Sequence, residues 1–103
     1  MDPAGLPALI DAIRHLHGAE ATHVESLPVR ETFNGKTVWE GEVQVFDLHG
    51  HPTATRAYAW SHATEGSKRR FYAVLHEGPV NSAATAVRAS IVADEKRRNG
   101  RAF

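Results

Sequence analysis

The chain has 103 residues, with 12 Lys and Arg, 12 Asp and Glu, seven His and no Cys, so its formal net charge is zero. This length predicts a single domain over residues 1–103. The lack of cysteine excludes disulfides, thiolate nucleophiles and cysteine-ligated zinc, and zero net charge argues against a protein that grips phosphate backbones by a basic excess. Residues 1–18 have neither a basic start nor a long apolar run, which predicts no signal peptide, no membrane span and a cytoplasmic protein.

An amphipathic helix is predicted over Leu6–His17. Pro7 suits its first turn, and Gly18 suits its C-terminal end, where a left-handed residue is favoured. The apolar positions recur at the spacing of one helical face, namely Leu6, Leu9, Ile10, Ile13 and Leu16.

A β-hairpin is predicted next, from Thr22–Phe33 and Lys36–Leu48. The Asn34-Gly35 pair between them favours a type I′ turn, because both central residues need positive φ. In the second strand the apolar positions change from even to odd numbers around Gly41, which predicts a β-bulge at that glycine.

Two further strands and a closing helix complete the predicted fold. The strands cover Thr53–His62 and Lys68–His76, and Ser82 is a good N-cap for a helix that ends near Arg98, before Asn99-Gly100. The order α-β-β-β-β-α predicts an α+β fold, a four-stranded antiparallel meander with an N-terminal and a C-terminal helix.

The register of these strands predicts two faces of different chemistry. Small alanines on the first face favour a helix there, so we expect the helices on the first face and a bare second face. The first face carries Leu27, Val29, Phe33, Val38, Val43, Val45, Ala57, Ala59, Phe71, Ala73 and Leu75. The second carries Arg30, Trp39, Glu42, Gln44, Phe46, Arg56, Tyr58, Trp60, Arg70, Tyr72 and Val74.

The second face is the candidate binding surface. A bare aromatic sheet face exposes more apolar area than monomers usually tolerate, and an isologous dimer needs only one self-complementary patch. The leading interpretation is therefore a non-enzymatic binding or accessory module that forms a homodimer through this face and presents other surfaces to a protein partner. The predicted interface residues are Arg30, Trp39, Arg56, Tyr58, Trp60, Arg70 and Tyr72.

Two alternatives stay open for the same residues. The aromatic rings would also stack the bases of a single-stranded nucleic acid while the arginines meet its phosphates. Alternatively, they are ordinary core residues covered by the N-terminal helix or by a second subunit. The element order resembles that of double-stranded RNA-binding domains apart from one additional strand, but residues 81–85 lack the lysines that begin the last helix of that family, so the family is not assigned.

Catalysis and metal binding receive little support. The pairs His15 and His17, and His49 and His51, have spacing unsuited to chelation, so no metal and no cofactor are expected. No pair among His62, His76, Glu42 and Glu77 is singled out as acid and base, and no catalytic residue is assigned. An enzyme or small-molecule pocket without a recognisable motif is the remaining alternative. The basic cluster at Lys96, Arg97, Arg98 and Arg101 is interpreted as a solvated helix end.

Overall fold

The structure is a computed structural model that describes residues 5–63, 66 and 68–101, with side chains as far as residue 96. The strands form one antiparallel sheet in the order β1-β2-β3-β4, which confirms the predicted α+β meander. The elements are α1 (Leu6–His17), β1 (Glu20–Phe33), β2 (Lys36–His49), β3 (Arg56–Ala63), β4 (Arg69–Leu75) and α2 (Ala83–Arg101). No helix in the described part is long and apolar enough to cross a membrane.

Helix α1 has the predicted bounds. Gly18 adopts φ 66° and donates its N–H to the carbonyl of Arg14 at 2.9 Å, the left-handed ending expected of glycine. Leu9 and Ile13 are completely buried, so the predicted apolar face of α1 is the one that docks on the sheet.

The β1–β2 hairpin turns at Asn34-Gly35, as predicted. The two residues adopt φ 53° and 76°, and Phe33 pairs with Lys36 across the turn. Both strands have 14 residues, but β2 pairs with β3 only from Gln44 to Asp47. The distal half of the hairpin therefore extends beyond the rest of the sheet.

The predicted bulge at Gly41 is wrong. Gly41 pairs regularly with Val29, and the extra residues in the β1–β2 register are Val24 and Val38. A Cβ added at Gly41 would lie 3.2 Å from the Trp39 ring. Glycine serves here to let the indole of Trp39 lie against the strand rather than to interrupt the pairing.

The predicted faces are correct within the β3–β4 hairpin and wrong between the hairpins. The face predicted for Trp39 is also wrong, because without a bulge at Gly41 this residue shares the face of Val43 and Val45. Val45 pairs with Tyr58, and Phe46 pairs with Ala57, so the valines share a face with the aromatic residues and Phe46 shares one with the alanines. The reason is the connection from β2 to β3: residues 50–55 form a longer loop that does not impose a register, unlike the two-residue Asn-Gly turn.

The helices lie on opposite faces of the sheet, contrary to the expectation that both cover the alanine face. Helix α1 packs with Phe46, Ala57 and Ala59. Helix α2 packs against the face of Tyr58 and Trp60. A four-stranded sheet with a helix on each face has two cores, one under α1 and one under α2.

Ser82 is the N-cap of α2, as predicted. Its Oγ accepts the N–H of Thr85 at 3.2 Å, while the Thr85 Oγ1 accepts the N–H groups of Ser82 and Asn81 at 2.9 and 3.0 Å. This is a reciprocal capping arrangement with threonine at the third helical position. At the other end the prediction is wrong, because α2 continues through Asn99 and Gly100 to Arg101.

Replacing Ser82 by alanine is expected to lower the free energy of unfolding by about 0.5–2 kcal/mol, because the first turn of α2 loses an acceptor. Urea denaturation followed by far-UV circular dichroism measures this. Ser90→Ala is the control, since Ser90 lies inside α2 and donates only to the carbonyl of Val87. Equal losses for the two variants would contradict a role for Ser82 as the cap.

Candidate functional site

The predicted aromatic face exists, and it is covered by α2. Tyr58 and Trp60 are only 3% and 2% exposed, and Trp39 and Tyr72 are half-buried. The rings contact each other in a row: Trp60 stacks on Tyr72 at 5.3 Å between centroids, and Trp39 meets Trp60 edge-on at 5.9 Å. We call Trp39, Tyr58, Trp60 and Tyr72 the aromatic face.

Helix α2 fits this face because its own side chains there are small. Ala83, Ala86 and Val87 are buried against the sheet. Large rings on the strands and small residues on the helix together fill the space between two packed elements, as close packing requires. The aromatic residues are therefore core residues, but the helix that covers them is α2 and not the predicted N-terminal helix, which packs on the opposite face.

The three predicted arginines are dispersed. Arg30 lies on the opposite side of the hairpin, where it donates to Thr37 Oγ1 at 3.0 Å. Arg56 and Arg70 lie at the two ends of the aromatic face. The guanidinium of Arg70 lies over the Tyr72 ring, 5.1 Å from its centroid, and donates to Asp94 of α2 at 3.1 Å.

The homodimer interface and the alternative nucleic-acid platform stay predictions. Both rest on aromatic side chains that the chain itself covers. Bases or a second copy would reach Tyr58 and Trp60 only after α2 had left the sheet, which would expose one of the two cores. The open surface of the molecule is elsewhere.

The paired histidines have structural hydrogen bonds. His17 donates Nε2–H to the carbonyl of Ala73 in β4 at 2.8 Å. The Nδ1 of His51 accepts the N–H groups of Thr53 and Ala54 at 3.2 and 2.9 Å, which holds the loop before β3. Among the described residues, no group of three or more His, Cys, Asp or Glu is placed to hold a metal ion.

The acid–base candidates lie apart. His62 lies near the Arg70 end of the aromatic face, where it stacks on Tyr72 at 5.5 Å. His76 lies at the other end, 2.6 Å from the Tyr58 hydroxyl. Glu77 accepts a hydrogen bond from Thr53, and Glu42 is exposed on the opposite face. The hydrogen-bonded pair of Tyr58 and His76 was not predicted from the sequence, because the two residues are 18 positions apart.

The predicted basic cluster is largely outside the described side chains. Lys96 is exposed on α2, whereas the side chains of Arg97, Arg98 and Arg101 are not described.

The outer edge of β4 is the clearest open binding surface. The Ala73 carbonyl accepts a hydrogen bond from His17, so the backbone N–H and carbonyl of Ala73 point away from β3. Backbone groups alternate in direction along an antiparallel strand, so those of Phe71, two residues earlier, point the same way. His76, by contrast, donates its N–H inward to the carbonyl of Arg56. An edge with outward backbone groups is a template for a further strand.

The two helices form walls beside this edge. Leu16 of α1 is 55% exposed on one side, and Phe71 is 37% exposed next to it. On the other side α2 presents small residues. The resulting open pocket of about 370 Å³ runs along Arg70–Val74, and we call it the β4 groove; apart from these strand residues it is lined by Leu16, Ala89, Ser90 and Ala93.

The opposite edge of the sheet is protected. Strand β1 contains Pro28, which has no N–H to offer, and an irregular register at Val24. Glu20 and Glu25 are exposed along it. Proline, bulges and charges are the usual means by which edge strands avoid pairing. The described part of β4 has neither proline nor an irregularity in its register with β3.

No family model, no curated protein and no solved structure matches this chain.

Proposed function

We propose that the protein is a non-enzymatic binding module that takes an extended segment of a protein partner onto the outer edge of β4. The observation that carries this proposal is the outward backbone of Phe71 and the outward N–H of Ala73 in the β4 groove; the Ala73 carbonyl already accepts from His17. The added segment forms a fifth strand, with main-chain hydrogen bonds for affinity and side-chain pockets for selectivity.

The two walls of the β4 groove define the side chains that the segment needs. Successive residues of a strand point to opposite faces, so alternate side chains of the segment lie beside α1 and beside α2. Leu16 and Phe71 offer apolar surface on the α1 side. Ala89 and Ala93 leave room on the α2 side for aliphatic side chains.

Charge at the start of β4 favours an acidic segment. Arg69 donates its Nε and Nη2 to Ser61 Oγ at 3.1 and 3.0 Å and contacts no carboxylate among the described residues. The surface that continues from the groove past α1 is lined by Arg14, His15, Arg69 and Arg70, with Asp11 as the one acid among the described lining residues. Arg14 and Arg70 are already paired with Glu20 and Asp94, so Arg69 is the principal open cation. Opposite charges across an interface steer the partner and set its register.

Binding of two labelled peptides of about nine residues, one alternating Glu and Val and one alternating Lys and Val, tests the proposal by fluorescence anisotropy. We expect the acidic peptide to bind at least about ten-fold more tightly than the basic one. Ala73→Pro is expected to weaken its binding at least about ten-fold, because proline removes the outward N–H and leaves the ladder to β3 intact.

Ala73→Ser is the matched control, since it keeps the N–H at the same position and is expected to bind like the wild type. Circular dichroism shows whether Ala73→Pro is folded. A folded Ala73→Pro that binds the acidic peptide as well as the wild type does would overturn the proposal. A wild-type dimer in sedimentation equilibrium that Ala73→Pro dissociates would overturn the choice of a foreign segment and identify a second copy as the occupant.

A further inference from the structure

A second open site lies at the Arg56 end of the aromatic face, which α2 leaves uncovered. An open pocket of about 520 Å³ is formed there by the ends of β2, β3 and β4. It is separate from the β4 groove and shares no lining residue with it. We call it the histidine pocket, and its lining residues are Asp47, Leu48, His49, Thr55, Arg56 and His76.

Tyr58 orients one donor of the pocket. Its hydroxyl lies 2.6 Å from Nδ1 of His76, and burial raises the pKa of Tyr58 even though Arg56 lowers it. The hydroxyl has no other partner among the described residues, so donation to Nδ1 is the arrangement that leaves its proton paired. In that arrangement the proton of a neutral His76 is on Nε2, on the side of the ring that faces away from Tyr58.

Arg56 and His49 supply further nitrogen groups. One terminal nitrogen of Arg56 lies 3.6 Å from Asp47 Oδ1, a contact longer than a hydrogen bond. A guanidinium has five N–H donors, so most of those on Arg56 remain available. The Nε2 of His49 is engaged with Thr22 Oγ1 at 3.2 Å, and its Nδ1 has no hydrogen bond among the described residues.

We propose that the histidine pocket binds a phosphate group, with Arg56 and the Nε2–H of His76 as its principal donors and His49 as the third contact. Planar guanidinium groups bind phosphate through two parallel hydrogen bonds, and an imidazole fixed by a second hydrogen bond adds a directed donor. Asp47 opposes binding, because its carboxylate repels the anion. Removing a positive group from this pocket thus weakens phosphate binding, and removing the negative group strengthens it.

Titration with inorganic phosphate at constant ionic strength, followed by the imidazole signals in NMR spectra, tests the proposal. We expect saturable shifts of His49 and His76 with a dissociation constant on the order of 1 mM. Arg56→Gln and His76→Gln are each expected to weaken binding about ten-fold. Asp47→Asn is expected to tighten it about three-fold, the effect of one exposed charge.

Arg30→Gln is the control, since it removes the same charge from the exposed hairpin, far from the pocket. Equal affinities for Arg56→Gln, Arg30→Gln and the wild type would overturn the proposal, as would shifts that do not saturate. Phenyl phosphate identifies the source of the group. Tighter binding of this monoester indicates a phosphorylated ligand, and equal or weaker binding indicates free phosphate; both outcomes require the same donors.

Discussion

Replacing Trp60 by alanine is expected to lower the free energy of unfolding by about 3–5 kcal/mol. Trp60 is 2% exposed, and its indole contacts Tyr72 and Trp39. It belongs to the same core cluster as the buried residues on the sheet-facing side of α2. Truncation leaves a cavity that small residues of α2 cannot fill. Urea denaturation followed by far-UV circular dichroism measures the loss without relying on tryptophan fluorescence.

The control for Trp60 is Phe33→Ala, because Phe33 is 69% exposed beside the hairpin turn. Its effect is expected to stay within about 0.5 kcal/mol. Sedimentation equilibrium on the same variants distinguishes a role of Trp60 in the core from a role in an interface between two chains. If Trp60→Ala kept wild-type stability and reduced the molecular mass, the aromatic face would be an intermolecular interface, and the packing of α2 on it would be contradicted.

Replacing Phe46 by alanine is expected to cost a similar amount, about 3–5 kcal/mol, in the other core. Phe46 is completely buried on the α1 side of the sheet, with the ring of His23 at 5.4 Å. The same measurement of unfolding by urea applies. Since Phe46 and Trp60 lie on opposite faces of the sheet, each variant reports on a different helix.

Phe71→Ala is the matched control for Phe46, because Phe71 lies on the same face but is 37% exposed in the β4 groove. Its effect is expected to be less than about 1 kcal/mol. A small effect at Phe46 would contradict its burial beneath α1. The comparison therefore tests whether Phe46 belongs to the core between α1 and the sheet.

The candidate sites were only partly predictable from the sequence. Arg56, Tyr58 and Trp60 were correctly placed on one face, because residues two apart in a strand share a face whatever the rest of the fold does. The predicted meander already made β4 an edge strand, but the β4 groove was missed, since it depends on where Leu16 and Ala89 are brought beside that edge. The hydrogen bond from Tyr58 to His76 was missed for a similar reason: it joins neighbouring strands across their pairing.

Local interactions determine what the sequence alone could predict for this protein. The bounds of α1, the Asn34-Gly35 turn and the Ser82 cap each depend on backbone conformations and hydrogen bonds within a few residues, so adjacent amino acids encode them. The order α-β-β-β-β-α follows from the same signals.

Tertiary structure alone decided how the two hairpins match and which face each helix covers. Loop 50–55 leaves the β2–β3 register to side-chain packing, and that packing joins Val45 with Tyr58 and Phe46 with Ala57. With this pairing both faces of the sheet are apolar enough to need a helix. One helix therefore lies on each face, the aromatic face is enclosed within the chain, and the edge of β4 and the histidine pocket remain open.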